Sequence, residues 1–257
     1  MSIITLTTDW NNEDFYTGAL KGNILSHCED TRIIDITHKV RPFNIPEAAF
    51  ILRNTYPHFP KETIHLIGVK SEITEDQNYV IVQKDNQYFI GADNGIFGLM
   101  FSKAPEKIIR ISEKPVHPTF PSLSLFRNIA CKLADGENIE DLGEPTEHLF
   151  KKIPIRPTIE ESVIIGKVVY IDSFSNAITN ISKDLFYRVA DNRRFQIFVQ
   201  SNTNKINKIS KTYNENPEGE LLAIFNSLNL MEIAMNGGNI AEILSLDTNS
   251  TIRIRFK

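Results

Sequence analysis

"ETIHLIGVKSEITEDQNYVIVQ", residues 62–83, sets two apolar runs around a charged middle. Ile64–Val69 and Tyr79–Gln83 have the length and the β-branched and aromatic content of strands. Between them come Lys70, Ser71, Glu72, Thr74, Glu75, Asp76 and Gln77. Upstream, Ile3–Thr7 reads as a strand and Arg32–Ile36 as another. Phe15–Ser26 has helical spacing, with Tyr16, Ala19, Leu20 and Ile24 able to share a face. Pro46–Asn54 reads as a helix with proline at its first position. Strand, helix, strand, helix, strand, ending in Val69, predicts an α/β domain with a mainly parallel sheet.

Downstream, Tyr79–Gln83 and Gln87–Gly91 form a hairpin across Lys84-Asp85-Asn86, with a second turn at Asp93-Asn94-Gly95. Ser122–Ala134 reads as a helix ended near Gly136. The pattern changes after residue 150. "KKIPIRPTIEES" carries prolines and mixed charge, as a linker does. Beyond it, Val163–Ile171, Phe195–Val199, Glu220–Phe225, Met231–Ala234 and Thr251–Phe256 read as strands. The polar stretch 201–219 reads as an exposed hairpin excursion. The organisation expected is an N-terminal α/β domain over residues 1–152, a linker over 153–162, and a smaller all-β, barrel-like domain over 163–257.

The 257 residues are 41% hydrophobic and 23% charged, with a net charge of −4. That balance suits a soluble globular chain and leaves no basic footprint for nucleic acid. Arg253, Arg255 and Lys257 alternate with Ile252, Ile254 and Phe256, the pattern of one wetted strand face. Cys28 and Cys131 are far apart and lack metal spacing, so two buried or free thiols in a reducing compartment are expected. MSIITLTTDW has neither the basic start nor the apolar core of a signal peptide. No apolar run approaches the roughly 18 residues of a membrane span. A cytoplasmic protein that meets no membrane is the expectation. The six histidines show no HxxxH spacing, no Gly-x-Ser-x-Gly elbow occurs, and no metal or cofactor is expected.

Three stretches carry candidate ligand chemistry, and each has a plain structural alternative. Asp9 follows a strand end, where ligands of α/β sheets sit and where a carboxylate can take both hydroxyls of a ribose; it could equally cap the next helix. "YIDSFSNAITN", residues 170–180, offers Asp172, Phe174 and Asn176. A ring can stack on the aromatic and amides can read its edge, or Phe174 can be core. "NSLNLMEIAMNGGNIAEIL", residues 226–244, contains Ser227, Glu232, Asn236 and Gly237. Its glycines permit close ligand approach, or simply a turn before the short helix Ile240–Leu244.

Taken together, TTDWNNEDFYTGALKG (7–22), DITHKV (35–40), AAFIL (48–52), TIHLIGV (63–69), YFIGADNG (88–95), IDSFSNAITN (171–180) and SLNLMEIAMNGGNIAE (227–242) resemble one family. It is the S-adenosyl-L-methionine (SAM) hydroxide adenosyltransferases, relatives of the SAM-dependent chlorinase and fluorinase. The resemblance covers nearly the whole chain. It implies an α/β domain followed by a β-barrel, and a homotrimer whose SAM sites lie between subunits. It also implies displacement at the ribose C5′ carbon by water, giving adenosine and methionine, with SAM as the small-molecule ligand.

By the same resemblance, Asp9 is the ribose carboxylate, and Phe174 and Asn176 are the adenine-side aromatic and amide. Asp172 lies near the amino-acid end of SAM and Ser227 at its carboxylate. Asn236 and Gly237 offer main-chain groups to adenine. Trp10 stands where the family usually has Phe, and Asn11 where it has Gly. The water-activating Asp–Arg–His set is replaced by Lys70, Gln77 and Pro121. Ser122 falls where the fluorinase has a halide-contacting serine. Lys70, Gln77 and Ser122 are therefore the catalytic candidates, with Glu72 and His117 near them in sequence. A charged Lys70 about 5 Å from the sulfonium would repel it by roughly 3 kcal/mol at an effective dielectric near 20. Water cleavage through a rearranged site, adenosine binding without turnover, and use of halide or another nucleophile are the readings that follow.

Overall fold

Residues 1–28, 30–75 and 77–257 are described in the computed structural model, which leaves Asp76 of the charged loop outside the described residues. The chain divides into two compact units, Met1–Ile153 and Pro154–Lys257.

In the first unit the elements run β1 (Ser2–Thr8), α1 (Phe15–Leu25), β2 (Thr31–Thr37), α2 (Ile45–Thr55), β3 (Ile64–Gly68), β4 (Tyr79–Lys84), β5 (Gln87–Ala92), α3 (Ile96–Met100), β6 (Lys107–Ile111), α4 (Arg127–Ala134) and β7 (Gly143–Pro145). A π-helical turn, Ser122–Phe126, leads into α4. The strand order is β2-β1-β3-β5-β4-β6-β7. The first three pairings are parallel and the last three antiparallel. The sheet is thus mixed, where a mainly parallel one is expected from the alternating strands and helices. The change of direction is local chemistry. Asp85 and Asn86, with φ of 54° and 58°, form a two-residue turn that only an antiparallel hairpin accepts. β6 then pairs with β4, and direction stays antiparallel to the edge.

Apolar alternation buries opposite sides of this sheet. Ile4, Leu6, Leu66 and Ile90 pack with Leu20 and Ile24 of α1 and with Phe126 and Ile129. Ile67, Val80, Val82 and Phe89 pack with Ala48 and Leu52 of α2. Asn44 caps α2 by accepting from the Glu47 N–H, and Pro46 sits in its first turn. On α1 the buried positions are Thr17, Leu20 and Ile24, whereas Tyr16 and Ala19 of the expected face are exposed.

Cys28 and Cys131 are bonded to one another, with Cα atoms 5.3 Å apart. This overturns the reading of two unpaired thiols and removes them as support for a reducing compartment. The pairing is invisible at a separation of 103 residues. It arises because the end of α1 packs against α4. No helix among the described residues is long and apolar enough to cross a membrane.

His65 on β3 is almost fully buried. Its Nδ1 meets Thr5 Oγ1 at 2.7 Å, its Nε2 meets Gln87 Oε1 at 2.7 Å, and its ring stacks on Phe89 at 4.6 Å. Burial pushes its pKa down to about 4, against a smaller upward pull from Gln87. The unfolded chain therefore binds more protons between about pH 4 and 6.5, so stability is full above that window and falls on acidification. At pH 5 the expected loss from His65 is about 2 kcal/mol. Urea unfolding at pH 7.5 and pH 5 should show that loss and His65→Gln should lack it; equal pH dependence in both proteins would refute the assignment.

The second unit comprises β8 (Thr158–Glu160), β9 (Val163–Ile171), β10 (Ala177–Ser182), α5 (Lys183–Ala190), β11 (Phe195–Val199), β12 (Lys205–Ile206), β13 (Leu221–Phe225), β14 (Leu230–Met235), α6 (Ile240–Ile243) and β15 (Thr251–Phe256). The order is β12-β11-β15-β9-β10-β14-β13, with β8 also on β9. β8 falls inside the stretch read as a linker. Ser210, beyond β12, donates to Ala223 O of β13 at 2.8 Å, so the two ends of the sheet approach and it nearly closes. The unit is not all-β. α5 is capped by Ser182 and buries Leu185, Phe186 and Ala190 against the sheet. On β15, Ile252, Ile254 and Phe256 point inward, while the Arg253 and Arg255 guanidiniums lie 5.0 and 5.8 Å from the Phe198 ring.

Candidate active site

β1, β3 and β5 are adjacent and parallel, so the loops after β1 and β3 leave one edge of the first unit together. They bound a cavity of about 1150 Å³ whose lining includes Asp9, Trp10, Phe43, Lys70, Glu72 and Phe120. This is where a parallel sheet holds ligands.

Asp9 is half-buried, and its Oδ2 accepts two main-chain bonds, from Phe43 N–H at 2.8 Å and Lys70 N–H at 3.3 Å. It gathers the loops after β2 and β3 and does not cap α1, whose start has no side-chain cap. Asn11, Phe43 and Lys70 all adopt left-handed backbone, with φ of 65°, 63° and 44°. Such conformations are uncommon in residues other than glycine, and three on one cavity wall need surrounding structure to hold them.

The Trp10 ring lies over β3. A Cβ built on Gly68 would fall 2.6 Å from that ring and 3.1 Å from Ser122 Oγ, so only glycine fits. Phe120 packs on Trp10 at 4.7 Å and Tyr16 on Phe120 at 5.1 Å. An aromatic wall results, suited to a flat or apolar ligand surface.

The three catalytic candidates part company. Lys70 lines the cavity. Gln77 is outside the lining and closes a turn: its N–H donates to Thr74 O at 3.0 Å, and its Oε1 accepts from Thr74 N–H at 3.3 Å. Ser122 is fully buried beside Gly68 and also outside the lining, and its Oγ has no hydrogen-bond partner among the described residues. Pro121 starts the π-helical turn. His117 is not in the lining; its carbonyl accepts from Phe120 N–H at 3.0 Å. Phe43, Phe120 and Tyr16 are lining residues that sequence reasoning missed. The signal for Phe43 is weak, a lone aromatic between Pro42 and the α2 cap. The structure leaves it 71% exposed, which an ordinary core residue would not be.

In the second unit, Asp172 organises a tight loop. Its Oδ1 accepts from Phe174 N–H at 2.9 Å and Asn176 N–H at 2.8 Å, and its Oδ2 from Asn176 Nδ2 at 3.2 Å. Phe174 is 76% exposed, and Asn176 is buried. Phe174 is thus presented, not packed as core. Ala241 N–H donates to Ser175 O at 3.0 Å and ties this loop to α6, just past Gly237.

Asn236 is engaged inside the unit: its N–H donates to Glu220 O, its carbonyl accepts from Gly219, and its Nδ2 donates to Asn216 O. Gly237 has φ of 68°, a turn position that favours glycine. Ser227 is exposed in a turn built by Asn226, whose Oδ1 accepts from Leu228 and Leu230. Glu232 is buried and accepts from Tyr213 Oη at 2.7 Å and Asn226 Nδ2 at 3.1 Å. Burial, then Glu232, pushes the Tyr213 phenol up. No group of three or more His, Cys, Asp or Glu that could hold a metal occurs among the described residues.

A carboxylate, an aromatic wall and a lysine at the carboxyl ends of parallel strands mark an α/β protein built to hold a small molecule. The chain belongs to the SAM hydroxide adenosyltransferase family: the family's N-terminal domain matches residues 4–143 and its C-terminal domain residues 166–253. Among its relatives is the (R)-S-adenosyl-L-methionine hydrolase of Methanocaldococcus jannaschii, 29% identical over 267 residues, covering 100% of this chain and 97% of that one. The enzyme of the same name from Salinispora tropica is 25% identical over 264 residues, covering 98% and 97%. An uncharacterized conserved protein of Thermotoga maritima has the same fold, with a TM-score of 0.88 and 28% identity over 98% of this chain and 99% of that one.

Proposed function

We propose that this protein cleaves SAM with water to adenosine and L-methionine. The observation that carries the reading is the Asp9 carboxylate in the lining of the cavity, in a chain matched by both family domains. Asp9 takes the ribose hydroxyls, and Trp10 and Phe120 cover the apolar side of the ligand. Water oxygen bonds to C5′ while the C5′–S bond breaks, and methionine leaves as a neutral thioether. The proton lost by water needs an acceptor. Glu72, on the cavity wall two residues past Lys70, is a carboxylate that can take it. The loops at Asp172–Asn176, Ser227 and Asn236–Gly237 hold the remainder of SAM, in a homotrimer that brings both units to each site. The reaction needs no cofactor.

A long incubation with SAM in chloride-containing buffer, against an enzyme-free control, tests the reading. Adenosine and methionine should form in equal amounts, from a particle whose scattering mass equals three chains. A chlorinated nucleoside would overturn water as the nucleophile, and no product at high enzyme concentration would overturn hydrolysis.

A further inference from the structure

Asn94 lies in the turn after β5 and has 3% of its surface exposed. Its Nδ2 donates to Lys70 O at 3.0 Å and to Val69 O at 3.2 Å, and its Oδ1 accepts from Ile96 N–H at 3.2 Å. The Lys70 N–H is held from the other side by Asp9 Oδ2. Both main-chain groups of one left-handed lysine are therefore gripped by side chains from two neighbouring strand ends. A lysine does not choose φ near +44° unaided. Left free, residue 70 would relax toward negative φ and redirect its side chain away from the wall it now lines. One buried side chain thus ties the turn after β5 to the loop after β3 through its side-chain amide.

We propose that Asn94 is a positioning residue: acting through Lys70, it fixes the lysine's charge on the cavity wall and so sets how the site distinguishes a sulfonium ligand from its neutral product. The inference rests on the SAM reading of the cavity. Its chemistry is electrostatic. A cation held beside SAM raises the energy of the bound sulfonium, and that repulsion fades as the C5′–S bond breaks and sulfur becomes a neutral thioether. Adenosine carries no charge and is indifferent to it. The fixed lysine thus lowers affinity for SAM relative to adenosine and favours passage to the transition state.

The test compares wild type, Asn94→Ala, Asn94→Asp, Lys70→Met and the Lys70→Met/Asn94→Ala double variant. Asn94→Asp keeps the acceptor for Ile96 and removes both donors, so it isolates the loss of the bonds to Val69 and Lys70. Two measurements are made: amide exchange at Lys70 and Ser71 without ligand, and the ratio of SAM to adenosine affinity. Exchange should quicken at least tenfold in both Asn94 variants. The ratio should shift toward SAM at least fivefold in Asn94→Ala and in Lys70→Met, with no further shift in the double variant. Unchanged exchange would overturn the proposal, and so would an unchanged ratio or an additive double variant. If wild type makes no adenosine, hydrolysis falls while these two measurements still decide the role of Asn94.

Discussion

Replacing Cys28 and Cys131 by alanine should cost about 4 to 5 kcal/mol of stability, the chain-entropy figure for a loop of this length. The bond closes 103 residues, and the loop contains everything from β2 to the π-helical turn, five of the seven strands of the first sheet. Without it the unfolded chain regains the freedom that the bond removes. Both cysteines are buried, so each alanine also leaves a small void beside Ile24 or Ile129. Urea unfolding of wild type and the double variant, with the linked peptide identified by mass after non-reducing digestion, checks this. A loss below about 1 kcal/mol, against that chain-entropy expectation, would show that the bond contributes little.

Asp9→Ala should weaken adenosine binding at least tenfold, about 1.4 kcal/mol. Two losses combine there: the carboxylate that takes the ribose, and the acceptor that gathers Phe43 and Lys70. Asp9→Asn separates them, because its amide oxygen still accepts from both N–H groups while the charge is gone. If charge on the ribose hydroxyls dominates, Asn and Ala behave alike in calorimetry. If the loop clasp dominates, Asn retains most of the affinity. Wild-type affinity in Asp9→Ala would remove the residue from the site altogether.

What the sequence made legible was local. Val163–Ile171, Phe195–Val199 and Thr251–Phe256 match their strands because apolar alternation is recorded residue by residue. The hairpin β4–β5 is equally legible from its Asp85-Asn86 turn. Partner choice is not recorded that way. Nothing in Lys107–Ile111 says that it pairs with β4, and that pairing makes the sheet mixed. α5 is only eight residues long and follows a strand directly, so its amphipathic face is too short to stand out. Asp9, Trp10 and Lys70, named from motif and strand end, fall together in the cavity lining. Gln77 and Ser122 lie outside the cavity lining for a geometric reason: one closes its own turn, and the other lies buried against β3 beside Trp10 and Gly68. Phe43 and Asn94 gain their place from backbone conformation and from side-chain bonds across the fold, neither of which a linear pattern encodes.

The two outermost strands of the first sheet bear on aggregation. A mixed sheet ends in edges, and an open edge invites another chain to add to it. β7 is three residues long and closes with Pro145, which has no N–H to offer, while Glu144 beside it pairs with Arg110. β2, at the far edge, carries Arg32 and Asp35, and Lys21 covers Asp35 at 2.5 Å. Strand addition at either side would meet a truncated ladder or a charged one. The sheet therefore bounds a cavity at its strand ends and, at its two edges, blunts the addition of a further strand, so that cavity and edge protection fall on different borders of one structure.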